Sequence, residues 1–116
     1  MKGKNEILEL SFEFALEIMK FCEELDSNKK FVIAQQVLKS GTSIGANIRE
    51  AQNSESKMDF VHKLKIAAKE TSETEYWLQL CQRSEGYPDP GNLLLQVKSI
   101  EKLLSKIIAS TKRNIS

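Results

Sequence analysis

The chain has 116 residues, with 17 Lys and Arg against 16 Asp and Glu, for a formal net charge of +1. That length suffices for one domain with its own core and is too short for two, and the balanced total argues neither for nor against a nucleic-acid partner. No run approaches the roughly 18 apolar residues of a membrane span, and the first residues lack the basic start and apolar core of a signal peptide.

The first helical segment runs from about Asn5 to Leu25. Ile7, Ser11, Phe14, Ile18, Phe21 and Leu25 recur at spacings of four and three, which puts them on one stripe of a helix. Asp26, Ser27 and Asn28 then form a break from residues that favour turns and caps. The second segment, about Lys29 to Asn53, carries Phe31, Ala34, Leu38, Gly41, Ile44 and Ile48 on its inner side. Its middle, Ser40-Gly41-Thr42-Ser43-Ile44-Gly45-Ala46-Asn47, is a poor helix by propensity, since each glycine costs about 1 kcal/mol relative to alanine. A loop is the alternative there. The apolar period continues to Ile48, however, and favours a helix whose small residues let a neighbouring backbone come close.

Ser56 and Asp59 have capping-box spacing, with Asp for the usual Glu and its carboxylate in the first turn, where the helix dipole favours it. Phe60, Leu64, Ala67, Thr71, Thr74, Leu78 and Cys81 follow as the stripe of a third helix, down to about Ser84. Gly86-Tyr87-Pro88-Asp89-Pro90-Gly91 is the strongest break in the chain. Asp89 is placed to cap a fourth helix, with Pro90 in its first turn. That helix, about Gly91 to Arg113, aligns Leu93, Val97, Ile100, Leu104 and Ile107. Four amphipathic helices with short connections imply antiparallel neighbours, so the fold class is all-α: an antiparallel up-and-down four-helix bundle forming a single domain over residues 1–116.

Two helices show more apolar area than a lone bundle needs. On the third, Ile66, Glu70, Glu73 and Trp77 step along a second side, with Tyr76 beside it. On the first, Leu8, Phe12 and Met19 extend the arc beyond the main stripe. One reading is a wide core arc with Trp77 packed at its edge. The other is a homo-oligomer that uses these faces, exposing Ile66 and Trp77 in the single chain and pairing Glu70 and Glu73 with cations across the contact.

Little in the sequence resembles a catalytic centre. His62 is the single histidine, so triads and Glu-x-x-His di-metal sites lack their parts, and no phosphate-binding glycine loop is present. The expectation is a non-enzymatic cytoplasmic protein without cofactor or metal. Cys22 and Cys81 fit no metal spacing and are expected as buried free thiols.

Charge is segregated along the chain. From Lys4 to Asp26 there are two lysines against seven carboxylates, whereas from Lys98 to Arg113 there are five cations and one acid. Lys98, Lys102 and Lys106 stand one turn apart, with Lys112 and Arg113 near the end, and Lys65 and Lys69 form a shorter pair on the third helix. These are the candidate nucleic-acid-binding residues. The competing reading is a solvated face, or a stripe that complements Glu9, Glu13 and Glu17.

The runs Ser40-Gly41-Thr42-Ser43-Ile44-Gly45-Ala46-Asn47-Ile48, Ser56-Lys57-Met58-Asp59-Phe60-Val61-His62-Lys63-Leu64 and Ile66-Ala67-Ala68-Lys69-Glu70-Thr71-Ser72-Glu73-Thr74-Glu75-Tyr76-Trp77-Leu78 resemble a known signature, as does Ser11-Phe12-Glu13-Phe14-Ala15. It is that of the four-helix-bundle proteins encoded in intervening sequences of bacterial 23S rRNA genes. Where the family often has Ser-Ile-Pro-x-Asn-Ile-Ala-Glu-Gly, this chain has Gly45 for the proline, Arg49 for the alanine and Ala51 for the glycine. The resemblance implies a left-handed bundle, commonly a homopentameric ring, and no enzymatic activity. It also implies kinship with the accessory variability determinant of diversity-generating retroelements, a basic pentameric barrel that binds RNA and a reverse transcriptase. The partners expected are therefore further copies of the chain, RNA, and a partner protein, with no membrane.

Overall fold

The computed structural model describes the backbone of residues 2–115 and the side chains of residues 6–115. Four helices occupy it: α1 (Lys2–Ser27), α2 (Phe31–Ala51), α3 (Lys57–Arg83) and α4 (Leu93–Arg113). Each lies beside the next, α4 closes against α1, and the diagonal pairs α1–α3 and α2–α4 have no Cα atoms within 8 Å of each other. The α2–α3 seam is the fullest and the α1–α4 seam the sparsest. Neighbours run antiparallel, since Ser40 meets Thr74 while Glu50, further along α2, meets Lys63, further back on α3. The result is a rod 50 × 21 × 21 Å.

The stripes explain the packing. Ile7, Phe14, Ile18, Phe21 and Leu25 of α1 are buried, as are Leu64, Ala67, Leu78 and Cys81 of α3 and Leu93, Val97, Ile100 and Leu104 of α4. Phe60 and Ile107 are half-buried at the rim. On α2 the stripe is Ala34, Val37, Gly41, Ile44, Ile48 and Ala51, steps of three and four that keep one seam facing its neighbours. Phe31 and Leu38, expected inside, are 56% and 41% exposed. Leu38 stands one position after Val37 and so about 100° round the helix, and Phe31 is the first helical residue, outside the alternation.

α2 runs unbroken through Ser40–Asn47. The reason is contact with α1: a Cβ added at Gly41 would stand 2.9 Å from Ile18, and one at Gly45 would stand 3.4 Å from the Ser11 carbonyl oxygen. The intrinsic penalty of these glycines is offset by the approach they allow. Buried hydroxyls on this helix are satisfied locally. Ser40 Oγ donates to Gln36 O at 3.0 Å, and Thr74 Oγ1 of α3 lies 2.9 Å from Ser40 Oγ and 2.8 Å from Glu70 O.

The corners differ in how they stop a helix. α1 ends in a Schellman motif, with Lys30 N–H donating to Leu25 O at 2.8 Å and Lys29 N–H to Asp26 O at 2.9 Å. Lys29 sits there in the left-handed region at φ 60°, a place that glycine normally fills. α3 begins as expected, Ser56 Oγ accepting from Asp59 N–H at 3.0 Å. Asp59 itself turns away to Lys63, 3.3 Å distant, so the box is half closed. α4 begins later than its sequence suggests. Gly91 takes φ 54° and interrupts the helical path after Pro90, so Asp89 accepts from Gly91 N–H in a tight turn at 3.1 Å and caps nothing. Lys30 Nζ stands 4.5 Å from the centre of the Tyr87 ring, tying the α1–α2 corner to the α3–α4 loop.

Candidate interaction faces

Lys98, Lys102 and Lys106 do not behave as one row. Lys98 Nζ is 2.9 Å from Glu75 of α3 and 3.9 Å from Glu101, so it closes the α3–α4 seam. The hydrogen bond from Lys98 lowers the Glu75 carboxyl below the usual range. Burial, then the hydrogen bond and charge of Glu75, raises Glu101. Glu75 and Glu101 thus share one proton more readily than two separate carboxylates would. Lys102, Lys106, Lys112 and Arg113 are exposed, and among the described residues none has an ion-pair partner. Among the described residues no α4 lysine reaches Glu9, Glu13 or Glu17, and Glu17 pairs with Lys20 at 3.4 Å. The complementary-stripe reading is therefore not what the structure shows. Lys65 and Lys69 are exposed on α3 and equally unpaired among the described residues.

The second apolar face divides in two. On α1, Phe12 is 55% and Met19 52% exposed, and Leu16 stands open beside them, while Leu8 packs against the core. Phe12 and Leu8 flank a shallow trough of about 200 Å³ between α1 and α2, lined also by Ala15, Gly45 and Ala46. On α3, Ile66 and Tyr76 are exposed, but Trp77 is not: its indole packs on the edge of the core, as the wide-arc reading has it. Trp77 Nε1 is buried without an acceptor. Tyr76 meets it edge-on, ring centres 5.2 Å apart and planes at 64°. Burial and the charge of Glu73 raise the Glu70 carboxyl, with Lys39 and Lys69 pulling the other way. Neither Glu70 nor Glu73 has an ion-pair partner among the described residues.

An opening of about 690 Å³ lies at the pole formed by the α2–α3 turn and the last turns of α4, with Phe60 and Ile107 on its wall and Lys57 and Lys106 at its rim. Among the described residues no three His, Cys, Asp or Glu side chains gather as a metal site, and His62 is on the surface. Cys22 and Cys81 are buried free thiols. Burial, then the nearby charges of Asp26 and Cys81, pushes the Cys22 thiol up to about 12, and its Sγ donates to Ala34 O at 3.4 Å. Burial raises Cys81 as well. The two sit on diagonal helices that come nowhere within 8 Å at Cα, beyond the span of a disulfide. Sequence reasoning missed the exposure of Phe31 and Leu38. Counting the alternation of three and four backwards from Ile48, to Ile44, Gly41, Val37 and Ala34, finds both.

A four-helix up-and-down bundle with an acidic first helix, a basic last one and glycines in the α1–α2 contact defines the structural class. Residues 3–108 match the 23S rRNA-intervening sequence protein family, and the chain belongs to that family. Among solved structures, a protein of unknown function from the S23 ribosomal protein family of Bacteroides thetaiotaomicron is similar at 44% identity, with a TM-score of 0.87 over 92% of this chain and 98% of that one. No curated protein matches the chain. No helix among the described residues is long and apolar enough to cross a membrane.

Proposed function

We propose that the chain is a non-enzymatic subunit of a homo-oligomer, a pentameric ring, which holds structured RNA through basic helix faces repeated around the assembly. The observation that carries this reading is the exposed set Lys102, Lys106, Lys112 and Arg113 on α4, which among the described residues has no ion-pair partner. Repetition would sum these charges into a field that phosphates neutralise with release of counterions. Association is supported by the exposed Phe12 and Met19 on α1 and Ile66 on α3, and by Glu70 and Glu73, which form no ion pair among the described residues. The family name ties its genes to 23S rRNA, so helices from that RNA are the first to try.

The test combines mass and salt dependence. Light scattering on the micromolar protein is expected to give about five chains, and a 23S-derived RNA is expected to bind more weakly as salt rises. The double substitution Lys102→Glu with Lys106→Glu should remove most binding without changing the mass. A monomer, or binding indifferent to salt, sinks the reading.

A second reading is a scaffold that docks a partner protein, such as a reverse transcriptase, with no RNA contact of its own. The trough between α1 and α2, walled by the exposed Phe12, favours it. A partner retained from host extract after nuclease, in a protein that fails to bind the RNA, would select this alternative.

A further inference from the structure

We propose that Tyr76 is a stacking platform for an unpaired base, so that the RNA held by this protein presents single-stranded nucleotides to the outer face of α3. The inference rests on the RNA-binding reading above and adds the site and the class of RNA.

Lys65, Lys69, Tyr76 and Arg83 follow one another at intervals of four, seven and seven, which keeps them within about 40° of one another round the helix. All four are exposed, Tyr76 to 55%. Among the described residues none of the three cations has an ion-pair partner. Two turns, about 10 Å, separate the ring from Lys69 on one side and from Arg83 on the other. The face thus presents one aromatic ring between cations, the composition that takes a nucleic-acid backbone on its charges and a base on its ring.

The ring is also held. Trp77, packed on the core, meets Tyr76 edge-on at 5.2 Å and limits its freedom while leaving most of it open. An exposed tyrosine that is already ordered loses little entropy when a base stacks on it. Glu73 lies about 60° round the helix from Tyr76, beyond Lys69, and repels phosphate, which directs a strand to the side of the ring that carries Lys65 and Arg83. A duplex keeps its base faces covered and could use the cations alone.

The test compares a 12-nucleotide adenosine strand, the same strand with abasic residues at its centre, and a 12-base-pair RNA duplex, at low salt. The wild-type protein should bind the intact strand about ten-fold more tightly than the abasic one, and Tyr76→Ala should lose that advantage while binding the abasic strand unchanged. Tyr76→Phe should keep it, and binding of the intact strand should quench Trp77 fluorescence. Retained binding that ignores Tyr76→Ala overturns this proposal and spares the RNA reading. No binding of strand or duplex overturns both. A fall in the mass of the assembly on Tyr76→Ala places the ring in a subunit contact and overturns the stacking role.

Discussion

Between α1 and α2 the backbones approach until Gly41 has no room for a Cβ beside Ile18, whereas between α3 and α4 the seam is closed by the charged group Glu75, Lys98 and Glu101. Close approach leaves nothing over the seam: the side chains on either shoulder, Phe12 and Met19 of α1 and Leu38 of α2, stand open. The α3–α4 seam is covered by its own ions. One side of the bundle therefore ends in unsatisfied apolar surface, the other in the α4 cations Lys102, Lys106, Lys112 and Arg113, which no acid among the described residues pairs. The first suits another protein surface and the second suits phosphate.

The contrast is broken most forcefully at Gly41. Gly41→Leu should destabilise the chain by about 3 kcal/mol in urea unfolding, because Ile18 is fully buried and cannot move aside. Gly45→Ala, whose Cβ would stand in ordinary contact 3.4 Å from the Ser11 carbonyl oxygen, should be close to neutral.

The corners sharpen it next. Lys29 holds the left-handed position that ends α1, while Gly86 and Gly91 take the left-handed positions of the α3–α4 loop. Lys29→Gly should therefore stabilise by about 1 kcal/mol, seen as a rise in midpoint with the urea slope unchanged.

A smaller effect is expected at the charged seam, with a definite sign. Glu101 is raised above its ordinary 4.5 in the folded chain, so as pH climbs through 4.5 the unfolded state releases its proton first and stability falls until Glu101 ionises. Glu101→Gln removes that loss. Its melting temperature should exceed the wild type's at pH 7, and the gap should close below about pH 4. Glu75 runs the other way, contributing stability that disappears as acid protonates it.

The least effect on stability belongs to the apolar shoulders. Phe12→Ser with Met19→Ser should change unfolding by no more than about 0.5 kcal/mol, as exposed residues do, yet reduce the mass of the assembly in light scattering. An unchanged mass would remove this face from the contact.

Much of the bundle was legible because burial follows spacing. The α1, α3 and α4 stripes are visible as threes and fours, and Ser56 announces the start of α3. The reading failed where one residue shifts a face by about 100°, as with Leu38 beside Val37, or where an isolated backbone angle decides, as with Gly91 and the late start of α4. The lysine row was legible as spacing but not as chemistry: one turn separates Lys98 from Lys102, yet the acid facing Lys98 comes from α3, a partner that periodicity cannot supply. Trp77 stayed between two readings for a related reason, since a residue at the margin of a stripe is buried or exposed according to how its neighbour packs.

The unequal seams also set an order of assembly. Contacts between sequence neighbours close short loops, so the α2–α3 hairpin, the fullest seam, is the natural nucleus, while joining α4 to α1 closes nearly the whole chain for the least contact. In reverse, the bundle should open like a book whose spine is α2–α3 and whose pages part between α1 and α4. Amide exchange would then show α1 and α4 exchanging ahead of α2 and α3 under native conditions. The basic helix and the acidic helix would be the leaves that loosen first.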